Sequence, residues 1–160
     1  MENYNIEMTE NQTDRIVKTL KMEYAVCLAL LLAVVAIYEL GGIEMGGLLE
    51  NERLAFWMEN IGIILMIALL PYALKKFSAV VSKINKEMPC EKRLDIYLRM
   101  SRLRLGILWL VCCYNIVLYY ETLNSIGAFC ALAAFLSMFF CVPGKRKVGD
   151  ELHMNADEVA

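Results

Sequence analysis

The chain has 160 residues, 59% hydrophobic and 21% charged, with a formal net charge of −2. Soluble domains run about 45–50% apolar, and here the excess is gathered into four blocks, which excludes a single soluble domain and a disordered chain alike. The near balance of 16 Lys+Arg against 18 Asp+Glu excludes a basic nucleic-acid binder.

The composition predicts an all-α integral membrane protein with four transmembrane helices, arranged as two antiparallel hairpins joined by a basic cytoplasmic helical hairpin. A spanning helix needs about 20 mostly apolar residues, and the blocks at 22–40, 54–74, 105–120 and 126–142 meet or approach that length. They form one transmembrane domain over 22–142, flanked by a cytoplasmic segment 1–21 and a cytoplasmic tail 143–160.

Residues 1–13 are polar, without apolar periodicity, and read as mobile; Ile16, Val17 and Leu20 predict a short helical extension of the first span. The polar stretch before that span, and its length, argue against a cleaved signal peptide. Within it Ala25, Ala29 and Ala33 recur every four residues, as do Gly127 and Ala131 in the fourth span. Small residues at this spacing let helices approach closely in lipid, so spans one and four are expected to pack through them, within a protomer or between protomers.

The first loop is acidic and glycine-rich. Glu39, Glu44, Glu50, Glu52, Glu59 and Glu121 gather at this side against Arg53 alone, and Arg53 is the expected charged partner of Glu59. Aromatic residues near the boundaries, including Tyr38, Trp57, Tyr119 and Tyr120, read as interfacial belts. In the second span Pro71 removes one helix hydrogen bond and predicts a kink.

The link 75–104 carries nine basic and three acidic residues, a net of +6. Phe77, Val80, Val81, Ile84 and Met88 continue the helical spacing of the second span. Met88-Pro89 interrupts it, and Leu94, Tyr97, Leu98 and Ser101 resume it toward the third. Two helical arms result, either packed on each other or lying flat on anionic lipid. Lys83, Lys86, Lys92, Arg93, Arg99 and Arg102 are the candidate contacts to a partner or lipid. Fifteen of the 16 basic residues fall on one side of the four spans, which under the positive-inside rule places that side and both termini in the cytoplasm. The location expected is the inner or plasma membrane.

Asn124 and Ser125 are N-cap residues for the fourth span, on a tight turn from the third. Pro143-Gly144 ends that span, and residues 149–160 read as disordered.

No catalytic, cofactor-binding or metal-binding set is expected. The six cysteines contain no C-x-x-C pair and pack as small hydrophobes. The single histidine, His153, lies in the tail. No phosphate loop or nucleophile elbow exists. Polar residues within spans draw functional attention: Glu59, Asn60 and Asn115, with Glu39 and Glu121 at the boundary, form the candidate polar transmembrane site. The expected function is a non-enzymatic scaffold, accessory or regulatory subunit acting through the basic link. Its partners would be membrane lipids and a protein partner or a second copy. The alternative is a small oligomeric transporter or channel subunit with an acidic outward-facing site.

Overall fold

The computed structural model describes residues 2–84, 89–142, 144 and 148; of residues 2–12 and Cys90 it describes the backbone alone. Lys86, Met88, Pro143 and the tail 149–160, each read above from sequence, lie outside the described residues.

Four helices make up the described chain: α1 (Glu2–Glu39), α2 (Glu52–Val81), α3 (Cys90–Thr122) and α4 (Ser125–Phe140). No strand occurs among the described residues. Three helices contain stretches long and apolar enough to cross a membrane, Thr13–Glu39, Glu52–Val81 and Glu91–Thr122; Ser125–Phe140 is apolar and shorter. The first begins earlier than the polar sequence of residues 1–13 suggests. Neither Pro nor Gly interrupts the chain before Gly41, and the helix runs unbroken from Glu2. Pro71 is likewise carried inside α2, and α3 continues to Thr122, two residues beyond the block 105–120.

The caps follow local chemistry. Asn51 accepts from the Leu54 N–H at 3.4 Å and opens α2. Asn124 accepts from the Ile126 N–H at 3.4 Å and opens α4, since an Asn side chain satisfies an otherwise unbonded amide of the first turn. Leu123, at φ 50°, closes α3 in the left-handed conformation and donates its N–H to Tyr119 O at 2.8 Å. Two residues therefore reverse the chain.

The packing centres on α3. It touches α4 most extensively, then α2, then α1, while contact between α1 and α2 is marginal at most. Three pairs fix the direction of α1 against α3: Glu23 with Arg102, Cys27 with Trp109, Tyr38 with Glu121. The numbers rise together, so these helices run parallel. Among the three long helices, α3 buries the largest share of its apolar stretch, whereas α1 and α2 expose most of theirs. Phe56, Ile64, Ile67, Leu32, Phe129 and Phe140 are each at least 60% exposed, an apolar surface far beyond that of a soluble monomer.

Two buried clusters fill the bundle. The first, at the end carrying most of the Lys and Arg, joins Val17 and Leu20 of α1, Phe77, Val81 and Ile84 of α2 and its extension, Leu94 and Tyr97 of α3, and Val148. Phe77 and Tyr97 meet edge to face, centroids 5.5 Å apart. The second gathers Tyr24, Leu31, Leu105, Leu108, Val111, Cys112, Ala134, Met138 and Cys141 from α1, α3 and α4. Cys112, Cys130 and Cys141 are buried and Cys27 and Cys113 half-buried, all as free thiols.

Candidate functional site

Two polar regions stand at opposite ends of the bundle. At the acidic end, α1 finishes in the dipeptide Tyr38-Glu39, and α3 carries the same dipeptide, Tyr120-Glu121, just before its last residue Thr122. The two pairs cross. The Tyr38 hydroxyl donates to Glu121 Oε1 at 3.0 Å, and the Tyr120 hydroxyl donates to Glu39 Oε1 at 2.8 Å. The rings stack between them, centroids 4.5 Å apart and 2° from parallel. Offset or stacked aromatic pairs add about 0.5–1.5 kcal/mol beyond burial, so this crossed pair is a rivet between parallel helix ends. The first loop closes over it: Gly46 donates to Tyr120 O at 2.9 Å and Leu48 to Glu121 O at 3.2 Å. A Cβ on Gly47 would stand 2.7 Å from Glu121 Oε2, so a larger residue there would have to push that carboxylate tip aside.

Glu59 is bound elsewhere. Asn124 Nδ2 donates to Glu59 Oε1 at 2.9 Å, and the Arg53 pairing expected from sequence is not formed; Arg53 is exposed and makes no ion pair among the described residues. The reason is geometric: the α3–α4 turn brings a neutral donor to the carboxylate from another helix, whereas Arg53 lies six residues away on the same helix, off its face. One Asn side chain thus caps α4 and holds α2. Asn124→Ala is expected to cost about 1–2 kcal/mol, read as a lower unfolding midpoint in mild detergent; Asn124→Asp, which keeps the cap but brings a second carboxylate to Glu59, recovers less than half of it.

Asn115 is fully buried between α2 and α3. Its Nδ2 donates to Val111 O at 2.9 Å within its own helix. A Cβ on Gly62 would come within 2.8 Å of its Oδ1 and 3.0 Å of Leu118 Cδ2, so Gly62 is the gap into which Asn115 fits. Asn60 donates back to Phe56 O at 2.7 Å. The structure therefore gathers Glu39 and Glu121 into one cluster, seats Glu59 at the neighbouring α2–α4 contact, and leaves Asn115 deeper and Asn60 turned along its own helix.

The basic end has three kinds of cation. Lys83, Lys92 and Arg99 are exposed, Arg99 in an i,i+4 pair with Asp95 at 3.1 Å. Arg102 grips Glu23 of α1 with two guanidinium nitrogens, its Nε 3.0 Å from Oε2; that hydrogen-bonded carboxylate raises the guanidinium above its ordinary value. Arg93 and Arg104 are buried. Arg104 lies over the Phe77 ring, 3.6 Å from its centroid, and donates to Cys141 O at 3.4 Å. Such stacking suits the planar, weakly hydrated guanidinium. Arg93, one of the contacts proposed from sequence, is thus buried at 6% exposure rather than presented on the surface.

The small-residue expectation divides. Gly127 and Ala131 are buried, but Gly127 lies against the backbone of Tyr119 and Asn115 in α3. Ala25, Ala29 and Ala33 are exposed, and α1 and α4 are not among the closely packed pairs. Within the protomer, then, α4 uses its small face on α3, and the α1 stripe faces outward.

Sequence reading missed the crossed Tyr/Glu rivet by assigning the tyrosines to belts; the repeated Tyr-Glu dipeptide at two helix ends was the available signal. The buried Arg104 carried no such signal. No family model, curated protein or solved structure matches the chain.

Proposed function

We propose that the protein is a four-span membrane protein of the inner or plasma membrane, with both termini and the basic end in the cytoplasm. Its role in this reading is that of a non-enzymatic accessory or scaffold subunit that presents the basic end to an acidic protein partner. The single observation that carries it is how the two arms are used. Their apolar residues Phe77, Val81, Ile84, Leu94 and Tyr97 are packed against each other and against Val17 and Leu20 of α1. An arm lying flat on lipid would hold those side chains outward, in the headgroup layer. Packed inward, they leave Lys83, Lys92 and Arg99 on the outside of a fixed support, and preorganised charge selects and steers a complementary partner.

The test is a comparison of wild type with Lys83→Gln/Lys92→Gln/Arg99→Gln, each tagged and drawn from the native membrane in mild detergent. Exposed substitutions of this kind change stability by about 0.5 kcal/mol or less each, so the variant keeps its fold. A stoichiometric acidic partner is expected with wild type, lost by at least about fivefold in the variant and by raised salt. An identical set of co-purifying proteins from both would overturn the reading.

A further inference from the structure

α1 and α4 both pack on α3 yet barely meet each other, and between them a groove of about 400 Å³ opens over α3. That size falls within the range of small-molecule sites, about 300–1,000 Å³. Its walls include Leu32 and Val35 of α1, Ile116 of α3, and Ala128, Leu132 and Phe135 of α4. Leu32 and Leu132 are exposed at its edges, so the groove opens sideways onto the apolar surface of the bundle.

The groove is short and stopped at both ends. Toward the basic end, Tyr24 of α1, Leu105 and Leu108 of α3 and Met138 of α4 join one buried cluster. Toward the acidic end, the Tyr38–Tyr120 stack joins α1 to α3. From Cys112 to Tyr120 it runs eight residues, about 12 Å at 1.5 Å per residue. A membrane-spanning helix of a second copy, about 30 Å long and 10–12 Å across, would bridge such a notch rather than fill it. A hydrocarbon tail fills it.

The acidic end of the groove says what head the tail carries. Tyr119 and Tyr120 form the last of its lining, and Tyr120 hands its hydroxyl to Glu39. Glu39 is exposed, and a neutral phenol leaves its charge uncompensated; Glu121 stands across the same tyrosine stack. Tyr119 is 36% exposed, its ring edge-on to Tyr120. Tyr119 and Glu39 both neighbour Tyr120, and an accessible aromatic ring together with a nearby carboxylate suits an ammonium group. No cation among the described residues holds this rim, so a phosphate-bearing head would meet only like charge there.

We propose that the α1–α3–α4 groove binds an amphiphile with a cationic ammonium head and a single hydrocarbon tail, the tail in the notch and the head between Glu39 and Tyr119. The site is independent of the basic end.

The probe is an alkyl trimethylammonium of about ten carbons with a photoreactive group in the tail, applied to the whole protein in lipid nanodiscs; a maltoside with the same tail is the neutral control. Labelling by the ammonium probe is expected on 28–35 and 128–135. It should exceed the maltoside's and fall about fivefold in Glu39→Gln and in Tyr119→Leu, with maltoside labelling unchanged. Ala128→Phe, which fills the notch, should abolish labelling by both. Glu39→Gln keeps an oxygen that accepts from Tyr120, so the fold stands even where Ala128→Phe does not. Equal labelling by both probes with no effect of Glu39→Gln would overturn the proposal in favour of an indifferent, lipid-filled notch. Protection of the notch in wild type by a second copy, seen as label crossing between two chains, would overturn it equally.

Discussion

Tyr97→Ala is expected to lower stability by about 3–5 kcal/mol, the range for removing a fully buried aromatic side chain. Tyr97 is 1% exposed at the centre of the basic-end cluster, with the Phe77 ring edge-on beside it. Its removal also strips support from Arg104, whose guanidinium rests on the other partner of that pair. The loss should be regional. Tryptic cleavage after Lys83 and Lys92 in mild detergent should accelerate by more than tenfold, while cleavage after Arg53 at the opposite end keeps its wild-type rate. Tyr97→Phe, which retains the ring, should lose less than a third as much. Uniform acceleration at every site would mean that the two ends do not unfold separately.

Gly127→Val is expected to cost about 3 kcal/mol, at the upper end of overpacking penalties. A Cβ at Gly127 would stand 2.9 Å from Tyr119 N, 3.0 Å from Asn115 O and 3.1 Å from Tyr119 Cα. All three are backbone atoms of α3, so no rotamer change relieves the contact and α4 must move away. Gly127→Ala should fall between wild type and valine. The internal control is Gly106 in α3, where a Cβ meets nothing within 4 Å; Gly106→Ala should be stabilising by about 0.5–1 kcal/mol, since alanine is the better helix former. Unfolding midpoints of the three variants in one detergent decide the matter. A Gly127→Val protein as stable as wild type would place α4 on α3 wrongly.

The two variants also separate what the sequence shows from what it hides. The helices were legible because each kind of signal was local. Phe77, Val81 and Ile84 carried the period of α2 past its apolar block, Pro89 marked the break, and Asn124 marked the start of α4. The choice of partners was not legible. A span that is apolar all round, such as Leu28–Ile37, has no stripe to say which face is inside, so sequence neighbours α1 and α2 were paired by default. In the structure polar pairs at both ends decide instead, Glu23 with Arg102 and the crossed Tyr/Glu set, and they bind α1 to α3. Of the candidate site, the acidic residues were read individually, but which of them meet depends on that pairing. The positive charge of the link was plain, whereas the burial of Arg93 and Arg104 followed only from tertiary packing, which for Arg104 means the Phe77 ring and the Cys141 carbonyl.

The same pairing sets a timetable for synthesis. The cross-helix side-chain hydrogen bonds made from Glu23 to Glu39 of α1 reach 79 to 83 residues forward in the chain. At roughly 5–20 residues per second, Tyr38 leaves the ribosomal tunnel about 4–17 s before Glu121 does. During that interval α1 has only a marginal partner, because α2 arrives first and meets it little beyond the basic-end cluster of Val17 and Leu20 with Phe77 and Val81. The nascent chain thus stores the acidic end of its first helix unclasped until the last turn of its third has been made. A stalled or truncated product ending before Tyr120 would carry α1 unclasped at the acidic end, exposed to whatever quality-control machinery recognises orphaned helices.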